Sequence, residues 1–480
     1  MVDPAQQTTS GPLVPVLDRA SPLNTARTFL LNHYNDPRGR LLHFSKGQFW
    51  AYSGKRWEIR THEDMAGEVH KFLSGCDRYI GGGRNVPFDP RSEDTEKVCK
   101  SLKHEVHAPE ALAMPAWGGA GNLDPKDLVA LQNGILNIRT KDRLQHTPLF
   151  WSPNVLEFDN DPQADCPRFM KFLSKELFPN DLQAQWAVME WIGYCLTDDT
   201  KYQKILLLIG PPRSGKGTLI RLIKGITGPA NFHATSIHDF AGRFGLASAI
   251  GKKVVAIPEF VTDGVPPSVL SAMATRLKSI SGEDDVTVQR KNIDDWTGRL
   301  YAKVVLAANQ TPRLKDFSGA IATRFIVVRF SNSFLGNEDY DLDEVLKAER
   351  PGIFNLALRA LDQMRGRDGT KLRGPIQPDS GRDAKNELEH LTSDILAFVE
   401  ECCELGPTFE VPLDRIFLEY RQWGQMQNKR YSGEKNHFTA ALRGKFPQIT
   451  VSRVRESILT TDTPTGNGTR PRVLKGIKLG

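Results

Sequence analysis

The stretch GPPRSGKGTL, residues 210–219, decides how this chain is read. It follows ILLLI, residues 205–209, an unbroken apolar run of the kind a strand shows when both its faces are buried. It leads into GTLIRLIKGI, where apolar residues recur at helical spacing. Strand, glycine-rich loop and helix in that order make the G-x-x-x-x-G-K pattern of a phosphate-binding loop. The expected nucleotide contacts are Gly210, Pro211, Pro212, Arg213, Ser214, Gly215, Lys216, Gly217 and Thr218. Backbone N–H groups turn inward around the phosphates, the helix N-terminus adds its positive end, and Lys216 reaches the β- and γ-phosphates. The pattern departs from its usual form at Gly217, where Ser or Thr normally binds magnesium. Thr218 follows one place later and becomes the expected metal contact.

The loop alone leaves open what is done with the nucleotide, since GKGT also occurs in nucleotide monophosphate kinases. What lies downstream narrows it. GKKVVAIPEF, residues 251–260, is a second buried-strand run ending in a single carboxylate, Glu259. A carboxylate at a strand end beside a phosphate loop orients or deprotonates the attacking water and helps hold magnesium. The alternative is a strand-end Glu paired with a surface lysine. A third run, YAKVVLAANQTPRL, ends at Asn309, whose amide suits fixing the water near the γ-phosphate; the alternative is a turn-forming Asn before Thr311-Pro312. SGAIATRFIVVRF then carries Arg324. A guanidinium at a subunit edge fits the spread negative charge of phosphoryl transfer, and the alternative is a surface ion pair. Between the second and third runs, DVTVQRKN and RLYAKVVL alternate as strands around Arg290, Lys291, Asn292 and Trp296. A hairpin with a basic tip and an aromatic suits a nucleic-acid backbone, although charged turns are commonly just solvated.

The order GPPRSGKGT, AIPEF, LKSISGEDDVTVQRK, VVLAANQTPRL, AIATRF resembles superfamily 3 helicases, specifically the phage and plasmid primase–helicase family related to poxvirus primase–helicases. The resemblance runs from about residue 131 to the C-terminus, and its motifs include the one with Lys278, Gly282 and Asp284. It implies an α/β protein with a P-loop AAA+-like ATPase core built on a parallel sheet. It implies a homo-hexameric, ATP- and Mg2+-dependent motor moving 3′ to 5′. Lys216, Glu259 and Asn309 would act in one subunit and Arg324 would reach in from its neighbour. Lys278, Arg290 and Lys291 would contact single-stranded DNA, the hairpin pointing into a central channel. Forked DNA is the expected substrate, with a separate primase or polymerase as a partner.

Residues 415–480 hold 13 Lys/Arg against 4 Asp/Glu, an excess larger than the +6 of the whole 480-residue chain. Two helical patterns followed by short basic strands suggest a winged helix, with Lys435, Arg443, Arg453, Arg455, Arg470 and Arg472 as candidate phosphate contacts. The alternative is a basic, solvated cap. Before residue 150 no D-x-D is followed by a His as an archaeo-eukaryotic-type primase would need, so the chain alone is expected to make no primers. The six cysteines show no C-x-x-C spacing, which points away from a zinc site and from a disulfide framework and suits a reducing cytoplasm. No apolar run approaches membrane-spanning length. The expected organisation is a flexible tail over 1–20, a mixed α/β N-terminal domain over 21–165 and a helical collar over 166–200. An ATPase domain over 201–364, a linker over 365–390 and a winged-helix domain over 391–480 complete it. Three functions fit to different degrees. A replicative helicase of a phage, plasmid or other mobile element accounts for the whole motif set. A DNA-binding initiator or loader without processive unwinding would keep the same set. A small-molecule kinase explains GKGT but not the rest.

Overall fold

Val16–Leu17 pairs in parallel with Asp77 and Arg78, and Leu17 is buried beside Phe29, so the segment expected as a tail over 1–20 contributes a strand. The computed structural model describes residues 14–480 except 46, 109–113, 121–122, 292, 315, 317–319, 367–372, 427–433 and 454–471. The chain divides into two compact units, Met1–Asp161 and Pro162–Gly480.

The first unit holds helix α1 (Pro22–His33) and a three-stranded antiparallel sheet of β1 (Leu42–Ser45), β2 (Gln48–Tyr52) and β3 (Trp57–Arg60). The second and third strands form the hairpin that the alternating aromatics of QFWAYSGKRWEI predict, with Tyr52 opposite Trp57. Helices α2 (His62–Ser74) and α3 (Ser92–Glu105) follow. Thr61 starts α2 with a reciprocal cap: its hydroxyl accepts from the Asp64 N–H at 3.1 Å, and the Asp64 carboxylate accepts from the Thr61 N–H at 3.0 Å. Phe29, Met65, Phe72 and Leu102 meet in one apolar core. A hairpin of β4 (Leu128–Leu131) and β5 (Gly134–Asn137) turns at Gln132-Asn133.

In the second unit, α4 (Leu182–Cys195) is apolar almost all round and is buried accordingly. Then come β6 (Ile205–Ile209), α5 (Lys216–Thr227), β7 (Phe232–Ala234), β8 (Val254–Ile257) and α6 (Pro267–Gly282). The antiparallel hairpin β9 (Asp285–Arg290) and β10 (Ile293–Arg299) precedes β11 (Lys303–Ala308). The short helix α7 (Ala320–Arg324) runs into β12 (Phe325–Arg329). Five strands form one parallel sheet in the order β7-β8-β11-β6-β12. Every residue of β6, β8 and β11 is buried, which is why each reads as an unbroken apolar run. Lys303 is the exception in type: it is buried over the Tyr194 ring, donates to the Thr197 carbonyl, and burial pushes its ammonium down to about 8.

Helix α8 (Arg350–Met364) crosses α4 so closely that a Cβ on Gly193 would lie 2.3 Å from the Ala357 carbonyl oxygen. The segment expected as a linker over 365–390 is, in its described part, built into the core. Gln377 brackets the edge strand β12, accepting from the Val327 N–H and donating to the Val327 carbonyl at 3.1 Å each. Helix α9 (Arg382–Thr392) then buries Ala384 and Leu388 in the core under the sheet. Gly381 sits where a Cβ would come 2.1 Å from the Val327 carbonyl oxygen, so the glycine serves close approach rather than flexibility.

The chain ends in α10 (Asp394–Cys402), β13 (Cys403–Pro412), α11 (Leu413–Met426), α12 (Lys435–Lys445), β14 (Thr450–Arg453) and β15 (Arg472–Leu479). The strands form an antiparallel sheet in the order β13-β15-β14 over a core of Phe398, Tyr420, Trp423, Phe438 and Leu474. Among the described residues no helix is long and apolar enough to cross a membrane.

Candidate nucleotide-binding site

The carboxyl ends of β6, β8 and β11 open into one cleft of about 860 Å3. Residues 212–218 of the loop line it. Gly210 passes so near Phe330 that a Cβ would lie 2.5 Å from the Phe330 carbonyl oxygen. Gly215 has φ +91°, and a Cβ there would lie 2.6 Å from Leu177 Cδ2, at the end of the π-helical turn Phe172–Leu177. The loop is thus seated on backbone at Gly210 and on the Leu177 side chain at Gly215, where the positive φ also favours glycine. Helix α5 starts directly at Lys216, leaving its first backbone N–H groups without a side-chain cap.

Lys216 is 9% exposed. Its ammonium donates to the Gly210 and Pro211 carbonyls at 2.7 Å each and to Ser214 Oγ at 3.1 Å. Burial holds its pKa below the ordinary lysine value, and an anion in the cleft would relieve that cost. A cation held by loop carbonyls next to uncapped helix amides is a donor set suited to a polyphosphate. Glu259 and Asn309 are both exposed and both line the cleft, each two residues or fewer beyond the end of its strand. Thr218 lines it too, its hydroxyl accepting from Arg221 at 3.0 Å, and Arg221 also pairs with Asp343 at 2.8 Å. At Gly217 a Cβ would meet only the Arg221 guanidinium, at 3.4 Å, so packing does not require glycine there.

Residues without a motif complete the rim. Arg168 pairs with Glu176 at 3.0 Å and Asp339 at 2.9 Å, and Tyr340 stands 87% exposed beside them. Nothing in the local sequence distinguishes them from surface residues.

Other expected site residues lie elsewhere. Arg324 donates to the Lys278 carbonyl and to Ser281 Oγ (2.8 Å), closing the C-terminus of α6 rather than entering this cleft. Lys278 is half-buried, and its ammonium pairs with the buried Asp316 at 2.8 Å. At the β9–β10 hairpin, Lys291 is exposed and Arg290 half-buried, while Asn292 lies outside the described residues. Trp296 sits opposite Val288 and packs on the core below the sheet, which corrects its reading as a tip aromatic. In the C-terminal part Lys435 is paired with Asp414, while Arg443 is exposed. Arg453 and Arg472 are direct cross-strand neighbours, both exposed. Arg455 and Arg470 lie outside the described residues.

Residues 28–177 match the family model described as D5 N terminal like, which ends on the π-helical turn that seats Gly215. Residues 208–324, from the loop strand to Arg324, match a family described as of unknown function, DUF5906. Among solved structures the chain is similar to the A form apo structure of the NrS-1 C-terminal region, at 12% identity and TM-score 0.47 over 95% of this chain and 99% of that one. An apo structure of the same region gives 11% identity and TM-score 0.48 over the same shares.

Proposed function

We propose that this chain is an ATP-dependent DNA helicase of superfamily 3, moving 3′ to 5′ as a homo-hexameric ring in the replication of a phage, plasmid or other mobile element. The observation that carries the reading is the shared cleft: Lys216, Thr218, Glu259 and Asn309 meet at the ends of three adjacent parallel strands. The sheet order, with the loop strand between β11 and β12, supports a P-loop AAA+-like core. The D5 N terminal like match supports the primase–helicase side of the reading.

In this mechanism the 210–218 backbone and the α5 N-terminus bind the triphosphate, and Lys216 leaves the loop carbonyls for the β- and γ-phosphates. Thr218 and Glu259 would hold Mg2+, a hard cation that suits one hydroxyl, one carboxylate and phosphate oxygens. When bound, the ion neutralises charge building on those oxygens. Glu259 orients and deprotonates the attacking water, and Asn309 fixes it by hydrogen bonding. Arg324 would swing from the end of α6 to a neighbouring subunit's nucleotide. On the DNA side, Lys291 at the hairpin tip faces solvent. The element order α10-β13-α11-α12-β14-β15 supports a winged helix. Like charges directly opposite on adjacent strands repel unless an anion is shared, so the Arg453–Arg472 pair suits a phosphate.

The test is ATP hydrolysis by the purified chain with and without single-stranded DNA, beside Lys216→Ala. DNA-stimulated hydrolysis lost in the variant, followed by unwinding of a forked duplex, is the expected outcome. Hydrolysis indifferent to DNA would move the assignment to an initiator or loader.

A further inference from the structure

The first unit carries a second concavity, of about 570 Å3, between α3 and the edge strand β1. It is lined by Phe44, Lys97, Lys100, Lys103, His104 and His107, with one carboxylate, Glu96, among them. The lysines and His104 recur at three- and four-residue spacing, so α3 turns them to one side. His107 arrives by backbone pairing: the Phe44 N–H donates to the Val106 carbonyl at 2.8 Å, and the Ala108 N–H to the Phe44 carbonyl at 2.9 Å. The carboxylates of this face have other partners. Glu93 binds Lys97, Glu96 lies 3.1 Å from His62, and Glu105 lies 3.2 Å from Arg27. Lys100 and Lys103 have no carboxylate partner among the described residues. The Lys103 ammonium stands 5.7 Å over the half-exposed Phe44 ring, which Phe49 holds edge-on at 5.0 Å.

Two lysines without a carboxylate partner beside an aromatic floor supply the two elements that single-stranded nucleic acid uses, phosphates on the former and an unstacked base on the latter. A duplex hides its base faces and could not use Phe44. We infer that this groove is a single-stranded nucleic-acid site in the first unit, separate from the nucleotide cleft and from the DNA contacts of the second unit. It goes beyond the motor reading and does not require it: the groove binds the strand whether or not ATP is hydrolysed.

Binding of a fluorescein-labelled oligothymidylate to the nucleotide-free full chain, measured by anisotropy over a salt series, tests it. Losing two phosphate contacts in Lys100→Ala/Lys103→Ala should reduce the slope of log K against log salt by about 1.4, at roughly 0.7 per single-strand contact. Crosslinking with a 5-iodouracil oligonucleotide should mark peptides spanning 42–45 and 92–107, and Phe44→Leu, which keeps the apolar packing, should lose the first. Those marks should persist in Lys291→Ala, which weakens only the second unit's contact. An unchanged slope with crosslinks confined to residues beyond 161 would overturn the inference. Thermal melting of each variant, expected to match the parent because both lysines lie on the surface side, separates lost binding from lost folding.

Discussion

Glu259 is exposed at the cleft while the residue before it is Pro258, so one carboxylate must serve where many related strand ends carry a pair. Replacing it by Gln keeps the shape and a hydrogen-bond acceptor but removes the base. Glu259→Gln should therefore bind ATP nearly as well as the parent while hydrolysis falls by about 10² to 10⁴. Equilibrium binding and turnover measured on the same preparation check this; loss of binding alone would make Glu259 a metal holder rather than the base. Lys216, Glu259 and Asn309 were legible in the sequence for a physical reason. Each follows a strand buried on both faces, and such strands read as uninterrupted apolar runs that announce where they end. Arg168 and Tyr340 were not legible: they reach the cleft from segments far along the chain, and no spacing rule joins them to the loop.

Among the elements, α6 shows how a motif position can carry a structural task. The Lys278 side chain is 30% exposed, but Asp316, its partner at 2.8 Å, is 3% exposed. Asp316 also accepts from the Ile321 N–H at 2.9 Å, so it ties α6 to the start of α7. Lys278→Ala leaves that carboxylate buried with its charge poorly compensated. The expected cost is about 2 kcal/mol, below the range for a fully buried pair because Lys278 is partly solvated. Lys291→Ala, at the exposed hairpin tip, should leave stability unchanged and weaken DNA binding instead. Denaturant titrations and DNA affinities of both variants separate the two roles, and a Lys278→Ala protein of full stability with weakened DNA binding would make Lys278 a DNA contact. The stretch around 365–390 misled for the opposite reason. Its Gly and Pro content suggests a linker, but Gly381 is small because Val327 lies against it, and Gln377 supplies the hydrogen bonds that an edge strand lacks. Composition reports conformational freedom in the unfolded chain; only the packing partner, which sequence does not display, reveals close approach.

At the scale of the whole molecule, Arg324 is the residue whose role depends on assembly. In the chain by itself it closes α6, hydrogen-bonded to the Lys278 carbonyl and Ser281, and it does not line the cleft of its own subunit. A heterologous ring gives each subunit one cleft and one neighbouring edge, so cis and trans functions can sit on different chains. If Arg324 acts in trans, Lys216→Ala and Arg324→Ala are each inactive alone but repair one another when mixed. A working interface then needs an Arg324→Ala subunit supplying the cleft and a Lys216→Ala subunit supplying the guanidinium. With random mixing in equal amounts, about a quarter of the interfaces meet that condition, so activity should recover to about a quarter of the parent's. Arg324→Lys, which keeps a donor for the α6 carbonyl, guards against a variant that merely unravels the helix end, and its melting temperature should match the parent's. Recovery on mixing would assign the ring and the trans role together. Full activity in Arg324→Ala alone would leave this arginine as the clamp it forms within the single chain.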